Sequence, residues 1–245
     1  RNCDWSSDVC SSDLPMTADA KTTTYIGGDN VAAGRMLAEE VIAQLPPDAS
    51  GTVVIGSPVP AVPTLQFRVQ GIKDAFAEKL PGVKVLGEFD TKLDPAENLK
   101  VWSDLVASND GALAFLGVGD QDSVSLAQIK RTSGGDWLSG AFDLNEAALI
   151  SVEDGSNIAI VDPQHWMKGY VAARLLIEQA MGANPAPAGW WDTGAALVTQ
   201  DNVADIIARQ VDEPAKRSYF DSLIKEQFAK DRKSTRLNSS HSSVS

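Results

Sequence analysis

The chain has 245 residues, 43% of them hydrophobic, and carries 33 acidic against 21 basic side chains, a net charge of −12. That balance excludes the basic stripe expected of a nucleic-acid binder, and no apolar run approaches the roughly eighteen residues a membrane span needs. The cysteines, Cys3 and Cys10, both sit near the front, so no CxxC pair, thiolate nucleophile or Cys/His zinc site is on offer.

The first segment to read is the front itself. Residues 4–14 (DWSSDVCSSDL) and 231–241 (DRKSTRLNSSH) can be encoded by one stretch of DNA read from opposite strands, apart from a base at each edge. Two unrelated segments would almost never share that property, and the DNA resembles a common sequencing adapter. Residues 1–14 and 231–245 are therefore expected to be artefact, disordered and packed against nothing. Without them 17 basic and 29 acidic residues remain, still −12, with His165 the single histidine.

The middle of the chain alternates between two periods. A β-prone run at 23–26 closes on Gly27-Gly28-Asp29-Asn30, and Val31, Met36, Leu37, Val41, Ile42 and Leu45 recur at helical spacing until Pro46-Pro47. Strands are expected at 52–55, 83–86, 112–116, 137–141 and 158–161. Helices are expected at 65–80, 95–108, 123–130, 146–152 and 166–181. Residues 182–188 form a Pro/Gly/Ala linker, 196–198 a last strand, and 203–209 and 216–229 two polar helices. Strands alternating with helices imply βαβ units and a parallel sheet, hence an α/β fold. Ligands of such sheets bind outside the carboxyl ends of the strands. The segments there hold Asp120, Asp122, Asp143, Asn145, Asp162, Gln164, His165 and Trp166. Carboxylates and amides that pair hydroxyls, with an aromatic face for C–H surface, are what a neutral polyol cleft requires.

Several of these runs, in order, resemble the ribose-type periplasmic sugar-binding proteins: Gly28-Asp29-Asn30-Val31-Ala32-Ala33-Gly34, then Arg68-Val69-Gln70-Gly71, Gly119-Asp120, Gly140-Ala141-Phe142-Asp143 and Val161-Asp162-Pro163-Gln164. Asp192-Thr193-Gly194 with Leu197-Val198-Thr199 resembles the family's closing strand. The resemblance implies a periplasmic binding protein of type I, with two Rossmann-like lobes whose parallel sheets close around a sugar. It also implies a front that is missing, leaving the N-terminal lobe incomplete. On that basis residues 15–48 would be the remnant of the N-terminal lobe, 49–188 the C-terminal lobe, and 189–230 a return strand with closing helices. The function implied is the monosaccharide-binding component of an ABC transporter, a monomer docking on permease subunits. It would work in the periplasm or as a cell-surface lipoprotein, its signal peptide lost with the front.

The same resemblance assigns ligand contacts to Arg68, Asp120, Asp143, Asp162, Gln164 and His165. Arg68 matches a sugar-contacting arginine, against a solvated first-turn residue. Asp143 and Asp120 match hydroxyl acceptors, against helix N-caps. The family's usual contact beside Asp120 is replaced by Gly119, and its contacting amide falls near Pro163, with Asp162 or Gln164 in its stead. Asp29 reads as an N-cap. Trp102 reads as core, and Trp190 and Trp191 as packing near the inter-lobe linker. His165 has no second histidine, serine or cysteine motif beside it, so it reads as packing or a single ligand bond. No catalytic residue, metal site or cofactor is expected: Gly117-Val118-Gly119 fails the dinucleotide fingerprint and no Gly-Lys-Ser/Thr loop exists. A glycosidase reading of the paired carboxylates gives way to binding. The competing function is the effector domain of a LacI-type transcription regulator, which shares the fold. Against it, the last strand runs into a long polar helical tail.

Overall fold

The computed structural model describes residues 9–11, 24–183 and 186–231. In chain order the elements are β1 (Val9–Ser11), β2 (Thr24–Gly27), α1 (Asn30–Ala43), β3 (Gly51–Ser57), α2 (Pro63–Lys79), β4 (Val83–Asp90) and α3 (Pro95–Ser108). Next come β5 (Ala114–Gly117), α4 (Asp120–Ser133), β6 (Leu138–Phe142), α5 (Glu146–Glu153) and β7 (Ala159–Asp162). The chain closes with α6 (His165–Ala180), β8 (Gly189–Asp192), β9 (Ala196–Thr199), α7 (Val203–Arg209) and α8 (Glu213–Asp231).

Local chemistry sets many of the boundaries. Asp29 caps α1, its carboxylate accepting from the Ala32 N–H at 2.9 Å, in line with its place before an apolar helix in the sequence. Asp94 caps α3 through the Ala96 and Glu97 N–H groups, with Pro95 in the first turn. Asn145 caps α5. Gly134, in the left-handed region at φ 65°, ends α4.

The chain divides into two compact units. One holds Asp29–Pro163 with Ala195–Ala208; the other holds the described residues up to Gly28, Gln164–Gly194 and the residues from Arg209 onward. The larger unit is a six-stranded sheet in the order β4-β3-β5-β6-β7-β9, parallel except for β9, which runs antiparallel to β7. Its strands are buried on both faces and use a period of two to serve them. Val53, Ile55, Ala114, Leu116, Ala159 and Val161 join one core with α1 and α2. Val54 and Phe115 face Trp102 and Leu126 of α3 and α4, and Ile160 and Val198 face α5 and α7. Each fully buried Leu, Ile or Phe here contributes about 1.5–3 kcal/mol.

The smaller unit is a three-stranded parallel sheet, β1-β2-β8. Its core joins Ile26, Met167, Val171, Trp191, Phe220 and Ile224. Trp166 stacks between Tyr170 and Phe220, with centroids at 5.3 and 4.9 Å, and its indole donates to Glu213.

Three expectations need correction. The first is the assignment of residues 15–48 to one lobe. Helix α1 belongs with the larger unit, because Ala33, Leu37, Ala38 and Val41 are buried against α2. Two glycines allow that approach. A Cβ at Gly34 would lie 2.0 Å from the Arg68 carbonyl oxygen, and one at Gly71 would lie 2.0 Å from the Val31 carbonyl oxygen. The second is the span 49–188: the larger unit is left at Pro163, and α6 and β8 pack on β2 in the other unit. Trp190 and Trp191 are therefore strand residues, with Trp191 buried and its indole bonded to Gln227. The third concerns the flanks. Most of 1–14 and nearly all of 231–245 lie outside the described residues, but Val9–Ser11 pair in parallel with Thr24, Tyr25 and Ile26. β2 would otherwise leave that edge of its ladder unpaired, and a β-prone Val-Cys-Ser run supplies the partner.

Candidate functional site

In the larger unit β3, β5, β6 and β7 run parallel and adjacent, so Ser57, Gly117, Phe142 and Asp162 end side by side at the carboxyl edge. Arg68 reaches this edge from α2. It is only 3% exposed, and three of its donors are engaged by the protein. Nε donates to Asn30 Oδ1 at 3.3 Å; Nη1 donates to the Val118 carbonyl at 2.8 Å and to Asp143 Oδ2 at 3.3 Å. The guanidinium carbon lies 4.3 Å from the centre of the Phe142 ring. A guanidinium has five N–H donors. Three are used by the protein, and the two on Nη2 have no partner among the described residues.

The α1–α2 glycine contact explains how this comes about. It brings Asn30, at the start of α1, within reach of Arg68 on α2. The Gly28–Gly34 and Arg68–Gly71 runs are thus two halves of one device. The β6–α5 turn supplies the rest: Asp143 adopts a left-handed φ of 70°, with its N–H bonded to the Val161 carbonyl. Asp and Asn tolerate that region better than most residues.

Beside this cluster, Asp122 is fully buried. Its Oδ1 accepts from Thr91 Oγ1 at 2.8 Å, Asn98 Nδ2 at 2.9 Å and Trp102 Nε1 at 2.8 Å; its Oδ2 accepts from the Gly119 N–H at 3.0 Å. Burial pushes its carboxyl pKa up, and the bonds from Asn98, Trp102, Thr91 and Gly119 oppose that shift. The carboxylate ties the end of β4, helix α3 and the β5–α4 loop together, and so fixes the backbone from which the Val118 carbonyl meets Arg68. Gly117 permits the packing, since a Cβ there would lie 2.1 Å from the Asp122 Cβ.

The six expected site residues are thus distributed unevenly. Arg68 and Asp143 come together. Asp162, 4% exposed, ends the strand next to β6. Asp120 lies at the same edge but is exposed, its carboxylate accepting from the Gln121 N–H, and no bond joins it to Arg68. It is not the cap of α4; Gly119 holds that position, and its N–H donates to Asp122 Oδ2. Gln164, in the left-handed region at φ 57°, and exposed His165 begin α6 in the other unit. Asn30, Phe142 and the Val118 carbonyl were missed as site groups, although Asn30 and Phe142 stand inside the quoted motifs, and Asp122 was placed at this edge without its bracing role. Two more hydroxyls at this end of the unit, Ser57 Oγ and Thr64 Oγ1, are buried without a partner among the described residues. The edge therefore holds more polar capacity than the chain uses. Among the described residues no group of three or more His, Cys, Asp or Glu side chains is placed to hold a metal ion, and no helix is long and apolar enough to cross a membrane.

Similarity to known proteins agrees with this architecture. A solute-binding protein from Agrobacterium radiobacter, solved with D-arabinose, superposes with a TM-score of 0.72 at 21% identity, over 81% of this chain and 68% of that one. One from Agrobacterium vitis, solved with D-fucose, gives 0.72 at 21% identity, over 85% and 69%. A third, from Burkholderia graminis and also with D-arabinose, gives 0.67 at 26% identity, over 77% and 66%. No curated protein matches the sequence. The family model of the periplasmic binding protein domain matches residues 8–184, most of the chain, and the chain belongs to that family.

Proposed function

We propose that the chain is the substrate-binding component of an ABC transporter, that it binds a monosaccharide, and that it is not an enzyme. The sugar would be received at the carboxyl edge of the larger unit. One observation carries the reading: a buried arginine whose fork is fixed on three donors by Asn30, Val118 and Asp143, with the two Nη2 donors left over. Such a group is already ordered before ligand arrives, so little further side-chain entropy is lost on binding. A ring or hydroxyl oxygen would accept from Nη2, and the partly exposed Asp143 carboxylate would accept from a hydroxyl. Asp162 and Asp120 line the neighbouring strand ends as further acceptors. The sugars held by the solved Agrobacterium and Burkholderia proteins support the ligand class. Membership of the periplasmic binding protein domain family supports the transport role and the periplasmic setting, and a monomeric state is proposed with them.

Calorimetric titration with pentoses and hexoses, D-arabinose and D-fucose included, tests this. One sugar should bind saturably. Arg68→Ala and Asp143→Ala should each weaken it at least about tenfold, since a charge-assisted bond contributes roughly 1.5–3 kcal/mol. Sugar binding that neither substitution weakens would sink the site. A nucleoside or amino acid binding where every sugar fails would remove the substrate class.

A further inference from the structure

The sheet of the larger unit has a second edge, where its parallel strands begin and the helices beside them end. There α1 stops at Gln44, α3 at Asn109 and α4 at Gly134. All three ends border a cavity of about 820 Å³. Leu45, Leu113, Phe115 and Trp137 give it apolar walls, and Asn109, Asp110 and Asp136 stand among its polar groups. None of the described residues that line it is a lysine or arginine.

The charges here run against the usual rule. A helix C-terminus carries a partial negative charge of roughly half an electron and favours a cation in its last turn. Helices α1 and α3 have no basic residue there. Helix α4 has two, of which Arg131 is paired with Asp154 at 2.6 Å. In their place, Asp110 directly follows the cap of α3 and Asp136 follows that of α4 by two residues. Asp110 has no hydrogen bond or ion pair among the described residues. One ammonium, Lys130, stands 5.5 Å from the Trp137 ring centre and is attracted by Asp136. Of the three last turns, only that of α4 therefore carries a basic residue outside an ion pair, Lys130, and Asp136 attracts it. Trp137 is half-buried, set edge-on against Phe115 at 5.1 Å, and its ring already draws a cation to itself.

We propose that this cavity is a binding site for a small organic cation, an ammonium or guanidinium group on an apolar body. The charge would sit by Asp110 and Asp136, within the field of the three helix ends. The body would lie against Trp137, Phe115 and Leu113. Cavities of about 300–1,000 Å³ with mostly apolar walls and a few convergent polar groups suit ligands of this size. The site is independent of the carboxyl edge and of any sugar bound there.

The test titrates the protein with agmatine, with putrescine and with the neutral diol of the same length as putrescine, followed by calorimetry and tryptophan fluorescence. At least one of the amines should bind at a single saturable site in the millimolar range or tighter, and the diol should not bind. Trp137→Leu and the paired change Asp110→Asn with Asp136→Asn should each weaken the amine about tenfold, while Trp137→Phe should retain it. If Trp137→Leu disturbs folding, the paired change decides alone, because both aspartates are exposed. Absence of amine binding at millimolar concentration, binding of the diol as tight as that of the amine, or amine binding unaffected by the paired change would each overturn the proposal.

Discussion

The two edges of the six-stranded sheet are made by the same strands and helices, yet they handle charge in opposite ways. At the carboxyl edge two charged groups, Arg68 and Asp122, are buried and nearly saturated. Arg68 has three protein acceptors, and Asp122 has four donors. At the amino edge the carboxylates are exposed and stand at the wrong end of their helices, and Lys130 is attracted by Asp136 alone of the two. Topology fixes which helix ends meet at which edge. Side chains decide whether that edge is held rigid or left with unmatched field. Rigidity suits a ligand with many hydroxyls, each needing a set partner. Unmatched field suits a ligand that brings one charge.

Disturbing the scaffold of the carboxyl edge should have the largest effect. Gly71→Ala places a methyl 2.0 Å from the Val31 carbonyl and 2.8 Å from the Arg35 nitrogen, both backbone atoms. Chemical denaturation should show a loss of about 3 kcal/mol, because α1 and α2 must separate. The same change should weaken sugar binding by drawing Asn30 away from Arg68. Stability unchanged within error would mean that the helices can slide, and that the rigid picture of this edge is wrong.

Asp122→Ala should come next, with a loss of about 2–3 kcal/mol on thermal or chemical unfolding, since it strands buried donors of Trp102, Asn98 and Gly119. The pH dependence has a definite sign. Burial raises the Asp122 carboxyl above its ordinary range, so the native state keeps this proton to a higher pH than the unfolded chain does. Its contribution to stability therefore falls as pH rises from the ordinary carboxylate range through the raised value. Asp122→Asn should remove that component of the pH profile. If the wild-type and Asn profiles are parallel, the bonds from the four donors balance burial; if wild-type stability instead rises with pH relative to Asn, they outweigh it and the direction is reversed.

The smallest effect belongs to the amino edge. Asp110→Asn should raise stability, by about 0.3–1 kcal/mol, by removing a negative charge from the end of α3. A fall in stability would show that the carboxylate has a structural partner, and would bring the two edges closer in kind.

Much of the carboxyl edge was legible because its pieces are local. Asp29 before an apolar helix, a helix beginning at Pro95, and strands at 112–116, 137–141 and 158–161, each one residue short of its observed end at Gly117, Phe142 and Asp162, declare themselves over a few residues. Periodicity likewise gave the buried strands 52–55 and 158–161, which differ from the observed elements only at their ends. The features that escaped were non-local. Whether α1 goes with the strand before it or the helix after it depends on Gly34 and Gly71 meeting backbone far away in sequence. Asp122 reads as one more polar residue at a helix start until Thr91, Asn98 and Trp102 arrive from elsewhere. Strand β8 was hidden because Gly189-Trp190-Trp191-Asp192 succeeds a Pro/Gly/Ala stretch and has no alternation of its own; β2 templates it. The cavity at the amino edge has no motif at all, since it is assembled from the last residues of three helices.

Trp102 offers a way to watch this core from inside. Its side chain is fully buried, and its indole N–H ends on the Asp122 carboxylate. An indole proton so enclosed exchanges with deuterated solvent only when α3 lifts from the sheet. A single proton resonance of that indole would therefore report two events. Its lifetime in heavy water measures how often the larger unit opens, and its chemical shift tracks the charge on the carboxylate beneath it.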